Sequence, residues 1–478
     1  MKKLSNLEPN RVFYYFEEIS AIPRGSGNRK GIADYIENFA KEHALDYVHD
    51  DAHNVIVFKS ASKGYEDKEP VILQGHLDMV CQKDASCDID FEKDGISLCV
   101  ENGYIKADGT TLGADNGSAV AMMLAILESD SYKHPAIEAV FTSDEEVGML
   151  GAKDLSVDCL KGRRMINLDS EEPEFLTVSC AGGSDFCFKI DAQRKIATGR
   201  KLTIILKGCR GGHSGIEIDK GRINADVLMG RILNKMQSFG DFDIISIDGG
   251  DKGNAIPTTA TANLLVRTDN FKEKLNEYIK EIKAEISARE PEFEVHIQED
   301  VETSLQALGD DAKETLIFLL VTAPNGVMSM SAEIENLVET SLNLGILKTE
   351  EKEITLHFAL RSNKKSALTH LEEKLTVLAK KVNCRYETLG HYPPWEYKDN
   401  SFMQKLYLET FKKKFGFDAK VIAIHAGLEC GMFSDKIKDL DCISFGPETL
   451  DVHTTSEKLS IDSTKNTFEL VLSLLEKM

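Results

Sequence analysis

Val71-Ile72-Leu73-Gln74-Gly75-His76-Leu77-Asp78-Met79-Val80 is an apolar run that ends in a histidine and an aspartate. Val71–Gln74 reads as a buried strand, and Gly75 hands over to the polar pair. In α/β sheets ligands gather outside the carboxyl ends of strands, which is where His76 and Asp78 leave this one. Residues two apart in extended chain point the same way, so both side chains address one place. A carboxylate beside an imidazole is the usual orienting partner of a metal-binding histidine. Taken alone, a histidine at a strand end is more often a satisfied structural residue.

On either side the pattern alternates between helix and strand. Residues 10–20 and 28–43 carry apolar positions at helical spacing, with Ser26-Gly27-Asn28 as the expected start of the second helix. β-rich Asn54–Phe58 precedes the opening stretch. The helix-like segment Ser118–Leu127 and the β-rich Ala136–Phe141 follow it. Strands alternating with helices predict an α/β sheet with parallel strands.

From about Phe186 the pattern changes. Strand Lys201–Lys207, helix Arg222–Met236, strands Ile244–Asp248 and Thr261–Arg267, helix Lys272–Ala288 and strand Phe293–Gln298 give the order βαββαβ. Helix Asp311–Leu320, strands Asn336–Gly345 and Glu353–Arg361, helix Lys364–Lys381 and strand Cys384–Leu389 then give αββαβ. These read as successive copies of one small α+β unit. After Pro393 the chain returns to α/β character, with helix Phe402–Phe415, apolar Val421–Ile424, strand Asp441–Phe445 and a last helix. An inserted domain explains this order better than three domains in a row. A chain of 478 residues also exceeds the roughly 250–300 at which single cores stop growing.

Three more loops bear acids or histidine, and a fourth lies near the end. Asp108–Ser118 contains Asp115 before an apolar helix, where capping alone accounts for it. Thr142-Ser143-Asp144-Glu145-Glu146-Val147-Gly148 follows an apolar strand, and acids at a helix start are common. Asp169 ends Met165-Ile166-Asn167-Leu168, and His453 sits in Asp451-Val452-His453-Thr454-Thr455-Ser456-Glu457. None means much alone. Collected at one sheet edge, two imidazoles and several carboxylates suit zinc, manganese or cobalt better than calcium, which prefers oxygen alone. His-Glu-x-x-His, the GxxxxGK[ST] phosphate loop and the GxSxG serine elbow are all absent from the sequence.

A net charge of −22 argues against nucleic acid or anionic membrane as a non-specific partner. Met1-Lys2-Lys3 leads into no secretory apolar core, and no run of about 18 apolar residues is present, so cytoplasmic residence is expected. The ten cysteines form no Cys-x-x-Cys pair and are expected to be reduced.

GHLDMV, GADNG, SDEEVG, NLDSEE and DVHTTSE, in this order, resemble the dinuclear-zinc exopeptidase family of glutamate carboxypeptidase, aminoacylase and carnosine dipeptidase, and most of all its Xaa-His dipeptidase branch. SAIPRGSGN, RGGHSG, GNAIP, HAGLECG and SFGPE extend the resemblance along essentially the whole chain. It implies an α/β catalytic domain of zinc-exopeptidase type in two parts, 1–186 and 390–478. Between them, 187–389 would be an inserted α+β lid domain of two repeated subdomains. It implies two divalent metal ions, zinc first, with Asp115 bridging both, His76 and Asp169 on one, and Glu146 and His453 on the other. Glu145 becomes the general base and Asp78 the orienter of His76, while His213, Asn254 and Arg361 of the lid meet a small peptide substrate. The implied activity is hydrolysis of dipeptides, including carnosine-like Xaa-His ones. An N-acyl amino acid amidase on the same metal pair is the alternative. In dimeric relatives with a smaller lid the lid histidine comes from the other subunit. A doubled lid could supply it within one chain, so homodimer and monomer both stay open.

Overall fold

The computed structural model describes residues 3–478 and separates into two units. The first takes the chain up to Cys180, then Trp395–Ala423 and Leu428–Met478; the second takes Ala181–Pro394 and Ile424–Gly427.

The first unit is built on an eight-stranded sheet in the order Asp46–His49, Val55–Lys59, Ile137–Thr142, Val71–His76, Arg164–Asn167, Asp441–Ser444, Phe175–Cys180, Lys420–Ile424. The four strands from Ile137–Thr142 to Asp441–Ser444 run parallel. Three of them, Val71–His76, Ile137–Thr142 and Asp441–Ser444, are buried at every position, which is why they read as apolar runs without alternation. Helix Ala114–Glu128 is buried from Asn116 to Leu127 on all sides, with helix Asn10–Ser20 packed on it. A four-stranded sheet of short pieces, Thr449–Leu450, Lys458–Ser460, Tyr104–Ala107 and Leu98–Glu101, frames the loop that carries His453. Strands of two to four residues leave no periodicity to read.

The second helix runs Lys30–Glu42, later than the expected start. Ser26 and Gly27 are engaged elsewhere: Ser26 Oγ donates to Asp78 Oδ2 (2.8 Å) and Gly27 N–H to Asp144 Oδ1 (2.7 Å).

The second unit carries one sheet whose main path is Glu294–Ala307, Lys195–Lys207, Ala260–Val266, Phe242–Gly249, Val338–Thr349, Glu353–Ser362, Gly182–Asp191, Arg385–Tyr392. Numbered within each half, both halves have the strand order 4-1-3-2, and they meet through their second strands at Gly249 and Leu347. Helices Ala225–Met236, Phe271–Ile286, Asp310–Thr322 and Lys365–Lys381 contribute to one apolar core with one face of this sheet.

The copies are nested rather than successive. Strand Gly182–Asp191 opens the second copy, and the whole first copy lies between it and its own first helix, Asp310–Thr322. The unit therefore begins at Ala181 rather than residue 187, and its last strand carries it to Pro394 rather than 389. Strands Lys195–Lys207 and Glu294–Ala307 outrun their apolar centres because they pair with each other over their full length.

Candidate metal centre

His76 is the last residue of its strand and is 1% exposed. Its Nδ1–H donates to the backbone oxygen of Asp78 (3.1 Å), which turns Nε2 to the acids. Nε2 lies 3.1 Å from Asp115 Oδ1 and 3.5 Å from Asp169 Oδ1. His453 Nε2 lies 3.2 Å from Asp115 Oδ2 and 3.0 Å from Glu146 Oε1. The two carboxylate oxygens of Asp115 thus face one imidazole each. Three donor groups result, His76–Asp115–Asp169, Asp115–Glu146–His453 and His76–Glu145–Glu146, with Asp115 common to the first two.

Asp115 and Asn116 depart from helical torsions at the head of the Ala114–Glu128 helix. Asn116 ties this turn to the sheet: its Oδ1 accepts from His76 N–H (3.2 Å) and its Nδ2 donates to Leu168 O (2.8 Å). Arg24, buried, donates from Nη1 to Leu77 O (3.0 Å) and Asp78 O (3.2 Å), and from Nη2 to Gly113 O. The carboxylate of Asp78 stands 3.4 Å from His76 Nδ1. It is held more closely by the Glu145 N–H, at 2.9 Å, and also accepts from the Glu146 N–H at 3.3 Å. Asp78 therefore fixes the turn that carries both glutamates, while its backbone oxygen orients the imidazole.

The electrostatics report an excess of buried negative charge. Burial opposes the imidazolium of His76, yet Asp169, Asp115 and Asp78 outweigh it and hold its pKa well above the usual value. Hydrogen bonds to Asp115 and Glu146 raise His453 to about 10. For Asp115 burial is outweighed by the hydrogen bonds of His453 and His76, so it titrates far below the usual carboxylate range. Burial pushes Asp169 up. Burial also lifts Glu145 well above its ordinary value, with Asp169, Glu429 and Glu146 adding to the effect and His76 opposing it. A divalent cation neutralises such a cluster better than protons do. Two nitrogens, four carboxylates with Glu145 included and no thiolate fit a pair of borderline divalent ions.

His213, Asn254 and Arg361 lie in the second unit. Gly212–His213 pairs with Ala255–Ile256, and Ser214 N–H donates to Asn254 O (2.8 Å). His213 Nδ1 accepts from Gly215 N–H (3.1 Å) and Ile216 N–H (3.2 Å), so Nε2 carries the proton. Arg361 stands on the sheet face opposite the helices; its Nη1 donates to Tyr392 Oη (3.0 Å), and its buried Nε has no hydrogen-bond partner among the described residues.

Several residues of the quoted motifs carry structural work that the sequence did not assign. In HAGLECG, His425 Nδ1–H donates to Asn363 Oδ1 (3.2 Å) and Nε2 accepts from Ser341 Oγ (2.7 Å), Ser341 being the cross-strand neighbour of Arg361. Burial, with the charges of Arg361 and His213, pushes His425 down to about 3. Glu429 of the same motif is fully buried and accepts from Thr142 Oγ1 (2.6 Å). Their only signal in the sequence is motif membership.

The chain is 35% identical over 483 residues to the cytosol non-specific dipeptidase of Escherichia coli (strain K12), covering 100% of this chain and 99% of that protein. The crystal structure of aminoacylhistidine dipeptidase from Vibrio alginolyticus superposes with a TM-score of 0.91 at 36% identity, over 99% of this chain and 98% of that one. Aminopeptidase PepT from Bacillus cereus ATCC 10987 shares the fold, with a TM-score of 0.55 at 15% identity over 98% and 99% of the two chains. With residues 72–477 matching its family model, the chain belongs to Peptidase family M20/M25/M40.

Proposed function

We propose that the chain hydrolyses dipeptides, those ending in histidine among them, at a pair of divalent ions held by His76, Asp115, Glu146, Asp169 and His453. The family depends on metal, generally on two ions. The observation that carries the reading is Asp115, whose two oxygens each face one inward-turned imidazole. Bound there, two ions, zinc by preference and manganese or cobalt by the same donor chemistry, would acidify a shared water toward a pKa of about 7 and offset charge on the scissile carbonyl.

Glu145 takes a proton from the attacking water and returns it to the leaving amine. The Asp78 carboxylate accepts from the Glu145 backbone N–H (2.9 Å) and holds it in place. Glu146, next in sequence, faces His453 instead and serves as a ligand. In the lid, His213 presents Nε2–H as a donor to the developing oxyanion, and Asn254 lies beside it. Arg361 pairs in two parallel hydrogen bonds with the terminal carboxylate of the substrate. The E. coli relative, a cytosol non-specific dipeptidase, and the V. alginolyticus aminoacylhistidine dipeptidase support dipeptides as the substrate class, and the former the cytosol as the location. No helix among the described residues is long and apolar enough to cross a membrane.

The test compares two isosteric changes on zinc-, manganese- and cobalt-loaded protein. Glu145→Gln should keep metal content while lowering dipeptide turnover about 10²–10⁴-fold or more, the scale of a general acid–base group. Glu146→Gln should lose metal as well. Equal metal content in both variants would overturn the division of roles.

A further inference from the structure

On the sheet face that carries Arg361, a second charged group is placed to read the substrate. Arg361 pairs in register with Gly183 of the neighbouring strand, Ala359 with Asp185, and His357 with Cys187. Phe186, Phe188, Phe358 and Leu360 alternate with these and are buried in the core against the helices, so Arg361, Asp185 and His357 share the opposite face. Contact confirms the alignment: His357 Nε2 lies 3.0 Å from Asp185 Oδ1.

The guanidinium of Arg361 reaches sideways over Gly183. Its Nη1 bonds the Tyr392 hydroxyl, and a Cβ on Gly183 would come within 2.5 Å of that same hydroxyl. Asp185 follows Gly183 by two residues on one face, roughly 6.6 Å along the strand. The side chain of Asp185 is 41% exposed, and its only ion-pair contact among the described residues is His357. Gly390 keeps the other oxygen open, since even a Cβ there would stand 3.2 Å from Asp185 Oδ2. Arg361 and Asp185 thus stand on one sheet face at register positions two residues apart, a backbone spacing comparable to the reach of a basic side chain from its own carboxylate.

We infer that Asp185 is the subsite for a cationic side chain on the C-terminal residue of the substrate. The inference rests on the reading of Arg361 as the holder of the terminal carboxylate. With the carboxylate on Arg361, the group able to run along the strand to Asp185 is the side chain of that same residue. Were the substrate's N-terminal ammonium the occupant, every dipeptide would lose equally in Asp185→Asn and the ratios between substrates would not move. Lysine and protonated histidine have the chemistry and the length; acidic side chains are repelled.

The experiment measures kcat/KM for Ala-Lys, Ala-His, Ala-Ala, Ala-Glu and Lys-Ala with metal-loaded wild type, Asp185→Asn and Asp185→Lys. The Ala-Lys to Ala-Ala ratio should fall about tenfold or more in Asp185→Asn, and the Ala-Glu to Ala-Ala ratio should rise in Asp185→Lys. The ratio is read on the active enzyme, so partial loss of folded protein does not move it. Unchanged ratios in both variants, or a Lys-Ala ratio that falls as far as the Ala-Lys ratio, overturn the subsite alone. A wild-type protein that turns over none of the five overturns the proposed function and the subsite with it, and an Arg361→Ala variant that leaves the contrast between free and amidated dipeptides intact overturns the carboxylate reading.

Discussion

Glu457 holds the turn that presents Asp115, although 342 positions separate the two in sequence. Its carboxylate accepts the backbone N–H groups of Leu112 (2.7 Å), Gly113 (3.0 Å), Ala114 (2.8 Å) and Asp115 (3.3 Å). Glu457 also lies four residues after His453, so one loop delivers an imidazole to the cluster and braces the acid that faces it. Glu457→Ala leaves buried amides unpaired and should destabilise the metal-free protein by about 2–4 kcal/mol. Urea denaturation measures this, and a loss below about 0.5 kcal/mol would show that the brace carries no weight.

Asp115 faces both imidazoles, so its removal should unmake both halves of the cluster at once. Asp115→Ala is expected to abolish dipeptide turnover and to lower metal content below two ions per chain, read by elemental analysis of the dialysed protein. Full activity with a single ion bound per chain would sink the paired-ion mechanism.

Arg361 should distinguish a free terminal carboxylate from an amide. Wild-type protein should favour free dipeptides over their C-terminally amidated counterparts by about tenfold or more, because amidation removes the charge that pairs with Arg361. Arg361→Ala should slow free dipeptides strongly and narrow that gap. The comparison is made on kcat/KM, and equal cleavage of amidated and free dipeptides by wild type would remove the role.

His425 gives the second unit a pH dependence of known sign. Burial, Arg361 and His213 lower its folded-state pKa to about 3, against about 6.5 in the unfolded chain. Between these values the unfolded chain binds more protons, so stability is present above pH 6.5 and is lost as pH falls toward 3. At pH 5 the loss is about 2 kcal/mol. The stability advantage of wild type over His425→Gln should therefore shrink by roughly that amount between pH 7 and pH 5, and an advantage that stays constant would contradict the buried neutral imidazole.

The sequence alone determined the elements whose signal is local. Val71–Gln74 and Ile137–Thr142 are legible because strands covered on both faces need apolar residues throughout, and helix Phe402–Phe415 was expected at its observed limits. His76 and the Glu145–Glu146 pair were legible as residues at strand ends, and their ranking into ligand and base came only from resemblance. Tertiary structure decided what depends on partners distant in sequence. The expected boundary between residues 186 and 187 falls inside Gly182–Asp191, which is the first strand of a nested repeat, because its pairing partner Glu353–Ser362 lies some 170 residues on. Arg24, Asn116 and Glu457 carry no periodicity of their own, since each acts by hydrogen-bonding backbone groups of another segment. Local propensity records how a residue suits its neighbours in the chain. A buried donor or acceptor is satisfied by whatever the fold brings beside it, and that is settled only when the chain has closed.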